Sequence, residues 1–284
     1  MKKLSDKQKE EIRNTKDDDL LFKFPDFTRS ELRRIKCQLG GRMPKILIMD
    51  IETSFIESFT WGTFKQDIAI NQIKNDWNMI CWSAKWLFSD EVIHDRLTGK
   101  ESKRKDDKRI TKSLWALLDE ADIVVAHNGD AFDIKKSNAR FLYHDLGLPS
   151  PYRSVDTLKI ARKSFRITSN KLDYLCKFLG LNTKINTGGS ELWIKCMNGD
   201  EEALEKMDVY CQNDVEILED LYLKLRPYDK SHPKIGLYMD NSSLCHNCGS
   251  KNVKEKGFYT TLAHKYKYKR CECGAINYTK ELIS

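Results

Sequence analysis

Five side chains in this 284-residue chain carry groups suited to holding divalent cations and directing a water: Asp50, Glu52, Asp133, Tyr210 and Asp214. The first two close the run Ile46-Leu47-Ile48-Met49-Asp50-Ile51-Glu52. An apolar run of that kind reads as a buried strand, and strand side chains alternate faces, so both carboxylates point the same way. Side by side at a buried strand end they repel and lose hydration, and they persist at low cost only with a cation between them. The plain alternative is a strand running out into the polar turn Glu52-Thr53-Ser54. Asp133 follows the strand-like Ile123-Val124-Val125-Ala126 and the loop His127-Asn128-Gly129-Asp130, where α/β sheets gather ligands. It would begin a helix, a place where aspartate also serves as N-cap. Tyr210 and Asp214 are four apart and share a helix face that Ile217, Leu218 and Leu221 continue inward. An aspartate on such a face needs a partner, either a metal or the tyrosine hydroxyl. Asp156, after Val155, reads equally as a site residue or a turn acid.

The elements needed to position these groups follow from periodicity. Strands are expected at 46–49, 67–73, 79–88 and 91–97, the last three as an antiparallel meander with a turn at Ser89-Asp90. Residues 99–109, almost all polar, read as a solvated loop. Helices are expected over 110–120, 133–146, 170–179 and 201–225, with strands at 123–126 and 154–157. Antiparallel strands followed by alternating helix and strand imply an α/β fold with a mixed sheet covered by helices. Before this domain, Ser5 caps a helix to about Lys16. A second helix after Thr28 carries Leu32, Ile35 and Leu39 on one face and stops at Gly40-Gly41.

Taken together, Asp50-Ile51-Glu52-Thr53, Asn128 through Phe132-Asp133, and Tyr210 with Asp214 resemble the three motifs of the DnaQ-like 3′–5′ exonucleases. These belong to the ribonuclease H-like superfamily, and the tyrosine marks the DEDDy-type subgroup, nearest its phage and bacterial members. The resemblance implies a ribonuclease H-like mixed five-stranded sheet flanked by helices over residues 44–229. It also implies two Mg²⁺ or Mn²⁺ ions, one on Asp50, Glu52 and Asp214 and a second on Asp50 and Asp133. Tyr210 would orient the attacking water, and Thr53 and Asn128 would touch the terminal nucleotide. The segment Asp19 to Gly40 resembles the small Myb-like helix-turn-helix units that precede some phage enzymes; residues 1–41 read as a helical segment, more often a packed surface helix than a DNA-touching unit. The segment Thr183 to Asn198, with Gly188-Gly189, departs from the family pattern and would form a substrate-side loop.

Nine cysteines include two close pairs, Cys245-His246-Asn247-Cys248 and Cys271-Glu272-Cys273. That spacing looks like a zinc ribbon over residues 240–284, with a structural Zn²⁺ on Cys245, Cys248, Cys271 and Cys273. The second pair is one residue tighter than usual, which leaves His246 and His264 as substitute ligands, and a redox pair is the lesser alternative. Residues 251–270 carry seven Lys or Arg against Glu255, interleaved with Phe258, Tyr259, Tyr266 and Tyr268. Lysines bind phosphates and rings stack on bases, although the tyrosines could equally form the ribbon's own small core.

The net charge of +7 agrees with a polyanionic partner. No apolar run is long enough to span a membrane, and the N-terminus is not a secretory signal. Paired cysteines of metal-site type indicate a reducing compartment, the cytoplasm, or the host cytoplasm if the gene is a phage's. The expected activity is metal-dependent 3′–5′ hydrolysis of DNA from a free 3′ end, alongside a polymerase or replication protein. The rivals are an RNase or structure-selective nuclease of the same fold, and an inactive nucleic-acid-binding adaptor.

Overall fold

A computed structural model describes residues 5–15, 22–27, 32, 43–185, 188–239, 241 and 243–282. Its centre is a mixed five-stranded sheet built around β1 (Ile46–Thr53). On one side β1 pairs antiparallel with β4 (Met79–Trp86), which pairs with β5 (Val92–Arg96). On the other side it pairs parallel with β6 (Ile123–Ala126), which pairs with β7 (Arg153–Asp156). The order β5-β4-β1-β6-β7, flanked by helices, is the ribonuclease H-like arrangement.

The period of two along β1 sorts the core into two layers. Leu47, Met49 and Ile51 face a cluster with Trp82, Ile110, Leu114 and Phe141. There α3 (Lys108–Glu120) and α4 (Asp133–Tyr143) cover the sheet, and the Trp82 indole donates to the Ile110 carbonyl at 2.7 Å. Ile46 and Ile48 face the other layer with Val125, Val215 and Leu218. Across that face runs the 25-residue helix α8 (Glu201–Leu225), started by Asp200, whose side chain accepts from the Ala203 N–H at 3.1 Å. Asp50 and Glu52 share parity with Ile46 and Ile48, so the face that buries α8 also presents both carboxylates to it.

Two expected elements differ. Residues 67–73 do not join the meander: only Ile73–Asn75 (β3) is a strand, paired with Glu57–Ser58 (β2) in a separate ribbon. Alternation at Ile68 and Ile70 builds no strand because both side chains are exposed and, among the described residues, no neighbouring strand pairs with them. Residues 99–109 are not a solvated loop. Gly99–Arg104 form α2, started by a capping box between Thr98 and Glu101. Asp107 beyond it is fully buried, accepting from the Met79 N–H, the Arg140 guanidinium and His144. The polar composition conceals an element held by ion pairs rather than by apolar periodicity.

The expected N-terminal helix is present as α1 (Asp6–Asn14), with a capping box between Ser5 and Gln8. Ile12, Phe24 and Leu32 form its small core. The expected second helix and the helix-turn-helix resemblance fall mostly outside the described residues. Beyond α8, α9 (Ile235–Tyr238) leads to a three-stranded antiparallel sheet of β8 (Val253–Thr260), β9 (Lys265–Cys271) and β10 (Ile276–Leu282). No helix among the described residues is long and apolar enough to cross a membrane.

Candidate metal centre

The carboxyl ends of β1 and β6 lie at the same edge of the sheet because the two strands are parallel. Asp50 and Glu52 project there, half-buried, and α8 brings Asp214 to meet them. One carboxylate oxygen from each of these three lies within 4.8 Å of the others. Asp133 is the first residue of α4 rather than its N-cap, and it is buried against the same edge. Its Oδ1 accepts from the Ile51 N–H at 3.1 Å, tying the helix start to β1 between the two acids.

Burial and mutual repulsion set the protonation of this group. Desolvation pushes Asp50 well up, with Asp133, Asp214 and Glu52 adding to it. Desolvation, then Asp214, raises Glu52 to about 8, and desolvation raises Asp133 to about 7. Asp214 is raised by burial against the opposing pull of Lys184. Carboxyls shifted this way are more easily protonated folded than unfolded, so their stabilising contribution is full below the ordinary values near 4. It is lost as pH rises through 7 to 8. In zinc-loaded protein with no free Mg²⁺ or Mn²⁺ the melting midpoint of the acid-bearing domain is therefore expected to fall by at least about 4 °C between pH 5 and pH 8. Saturating Mg²⁺ at pH 8 should recover it, and a midpoint that rises with pH in its absence would contradict this.

The donor set suits a hard divalent ion. It is all oxygen and strongly repulsive, and the Oδ1 of Asp214, a residue only 1 % exposed, has no hydrogen-bond partner. The other Asp214 oxygen accepts from the Lys184 ammonium, which also donates to the Tyr210 hydroxyl at 3.0 Å. Lys184 thus bridges Tyr210 and Asp214, and the Tyr210 hydroxyl also lowers Asp214 through the direct hydrogen bond that a four-residue spacing allows. Lys184 is held in place by its own N–H on Asp173 of α6 (Leu172–Phe178) and by the Ile185 N–H on Asn213. Burial, ahead of Asp214, raises the Tyr210 phenol to about 12, so it stays protonated near neutral pH. Trp193 packs edge-on against Tyr210, hydrogen-bonds Glu52 and stacks on Phe55.

Lys184 and Trp193 both come from the Thr183–Asn198 segment, which is not a plain loop: Ser190–Met197 form α7. Neither stands out in the sequence. A lone lysine thirty residues from its aspartate leaves no local pattern.

Asn128 and Thr53 occupy different settings. Asn128 sits in the left-handed region (φ +67°), donates its N–H to Asp156 at 2.9 Å, and lines a cleft of about 730 Å³ with Asp50, Arg162, Lys171 and Lys184. Gly129 beside it has no room for a Cβ, which would meet the Ala126 Cβ at 2.4 Å. Thr53 is buried, its hydroxyl 3.4 Å from the Lys136 ammonium. Asp156 is structural. It caps α5 (Thr157–Ser164) through the Leu158 and Lys159 N–H groups and pins the Asn128 loop. His127 is held by the Thr157 hydroxyl and the Asn170 carbonyl, and burial lowers it, so it is neutral.

At the other end of the chain all four cysteines of the two close pairs meet within 4.8 Å. Cys245 and Cys273 are 3.8 Å apart and Cys248 and Cys271 3.5 Å, far beyond a disulfide bond. The shorter second knuckle is accommodated by a tight turn, in which Gly274 takes φ +88° and donates to the Cys271 carbonyl at 3.0 Å. His264 lies exposed in the β8–β9 connection, and the cysteine group needs no histidine. Four thiols and no other donor fit a tetrahedral zinc. Cys248→Ser is expected to abolish stoichiometric zinc and unfold the ribbon while the five-stranded sheet persists. Zinc content and proteolysis at 240–284 report this, and full zinc retention would contradict it. Tyr259 stacks on Tyr266 and meets Tyr278 edge-on, so part of the aromatic set does form the ribbon's own core.

The sheet order and the acid cluster together support a nuclease-type hydrolase. Residues 86–226 match a family model described as the RNase_H superfamily. Among solved structures, the family B DNA polymerase from the hyperthermophilic archaeon Pyrobaculum calidifontis is similar, with a TM-score of 0.49 and 16 % identity. The similarity covers 80 % of this chain and 32 % of the polymerase, so the chain spans about a third of that protein's length. No curated protein matches the sequence.

Proposed function

We propose that the chain is a metal-dependent 3′–5′ exonuclease acting on DNA, with residues 44–229 as its catalytic domain and residues 240–284 as a zinc ribbon. The observation that carries this reading is the convergence of Asp50, Glu52 and Asp214 at a strand edge, with Asp133 and Tyr210 beside them. Divalent ions on these acids supply charge stabilisation and a more acidic water. Tyr210, protonated and hydrogen-bonded by Lys184, positions that water rather than deprotonating it. Arg162 and Lys171 line the same cleft and balance a phosphodiester's charge, and Asn128 contacts the terminal nucleotide. Thr53 serves the same nucleotide from the end of β1.

Single-stranded ends suit the surroundings. After Glu52-Thr53-Ser54 the chain presents Phe59, Trp61 and Phe64 to solvent, Trp61 at 99 % exposure, and unpaired bases stack on such rings. On this reading the enzyme works in a reducing compartment, the cytoplasm, beside a polymerase or replication protein.

The test is mononucleotide release from DNA and RNA oligonucleotides of one sequence, each with a free or a blocked 3′ end. Release from free-ended DNA alone supports the reading. Equal release from RNA makes the chain a nuclease of broader substrate, and cutting of blocked ends removes the exonuclease assignment.

A further inference from the structure

Where the catalytic domain meets the zinc ribbon, two clefts of about 750 and 610 Å³ adjoin at Lys234, His246 and Tyr278, which line both and make them two parts of one grooved seam. Lys224, Lys230 and Lys234 come to it from the end of α8 and the segment beyond, and Lys269 and Arg270 come from β9. Among the described residues Asp229 is the only acid lining either cleft, and its Oδ1 is engaged by the Ser231 N–H and hydroxyl. Among the described residues none of the five cations has an acidic partner within ion-pair distance, unlike Lys85 on Glu219 or Lys45 on Glu120. The seam is fixed from both sides. The Asn247 amide donates to the Arg226 carbonyl at 2.8 Å, and the Ile235 N–H donates to the His246 carbonyl at 2.7 Å.

We propose that this groove binds the phosphate backbone of the nucleic acid being degraded, several nucleotides inside the reacting end. Unpaired cations concentrated on one rigid seam favour a polyanion. The rings of Tyr228 and Tyr278, 57 % and 52 % exposed although each meets a neighbouring ring edge-on, favour a nucleic acid over an acidic polypeptide, since rings offer stacking surface to bases. Asp214 and Lys224 stand ten residues apart on one helix, which is about 15 Å along its axis. If the single strand keeps the base-stacked rise of about 3.4 Å per nucleotide, the groove begins some four to five nucleotides from the cut. Trimers therefore end short of it, and longer strands reach it. The proposal rests on the exonuclease reading for the identity of its occupant.

The test reads binding without divalent ion, by fluorescence anisotropy of single-stranded DNA 3-mers and 12-mers across a salt series. The variant is the triple substitution Lys224→Gln, Lys230→Gln, Arg270→Gln, with zinc content and melting midpoint as folding controls. The 12-mer is expected to bind at least about tenfold more weakly, with a log–log salt slope reduced by about two to three, since each lost phosphate contact removes about 0.7 to 0.9. The 3-mer should be unaffected. The single variants Lys224→Gln and Arg270→Gln, each expected to remove somewhat less than one unit of slope, carry the test if the triple variant misfolds. An unchanged 12-mer affinity and slope would overturn the proposal. So would an equal loss for the 3-mer, or weakened binding of polyglutamate with DNA binding intact. A wild-type chain that binds but cuts nothing would remove the exonuclease reading and leave this test standing.

Discussion

Asp50→Asn is expected to lower metal-dependent phosphodiester hydrolysis by at least about 10³-fold, a loss of about 4 kcal/mol of transition-state stabilisation. The substitution keeps side-chain volume on a strand whose neighbours Met49 and Ile51 are buried, so packing is undisturbed. It removes the carboxylate that Asp133, Asp214 and Glu52 all press upon, the one that would bridge both ions on the proposed reading. The same change removes repulsion from the metal-free protein. At pH 8 in EDTA the variant should therefore melt at or above the wild-type temperature. Lost activity with an unharmed or raised midpoint is the combined signature, and a lower midpoint would show that Asp50 holds the fold.

Lys184→Met is expected to act on the same cluster with opposite signs in two measurements. Lys184 compensates Asp214, and removing one partner of a buried pair leaves an unbalanced charge. In EDTA at pH 8 the variant should lose about 3 kcal/mol of stability, read by denaturant unfolding. The ammonium and a divalent ion compete for the same carboxylate, so deleting it should tighten Mn²⁺ binding by about tenfold or more in calorimetry. The added ion then restores the lost stability, since it binds only the folded state. Unchanged Mn²⁺ affinity would show that lysine and metal do not share the site.

The parts of this architecture that were legible in the sequence are those governed by a short period. Alternation along Ile46 to Glu52 gives both the strand and the common direction of its carboxylates. The spacing of Tyr210, Asp214, Ile217 and Leu218 gives an inward helix face, and Glu201–Leu225 form it over the range expected. The Cys-x-x-Cys and Cys-x-Cys spacing gives the ribbon, with all four thiols assembled. What escaped depends on contacts distant in sequence. Lys184 is defined by Asp214 and Tyr210 on another element, and Asp107 by Arg140 and His144. Gly99–Arg104 hid behind its charge, although Thr98-Gly99-Lys100-Glu101 carries a capping box. Ile68 and Ile70 alternate like a strand, yet among the described residues no partner strand pairs with them. Asp156, which the sequence leaves open between a site residue and a turn acid, is the turn acid: its oxygens are taken up by backbone N–H groups.

The central claim is that the Asp50 cluster is a divalent-metal site that cuts phosphodiester bonds from a 3′ end. The most direct measurement follows 5′-labelled single-stranded DNA with wild type and Asp50→Asn, in Mg²⁺ and in EDTA. Stepwise shortening from the 3′ end by the wild type in Mg²⁺, absent in EDTA and in the variant, is the predicted result. No shortening by the zinc-loaded wild type, or equal shortening by Asp50→Asn, would contradict it.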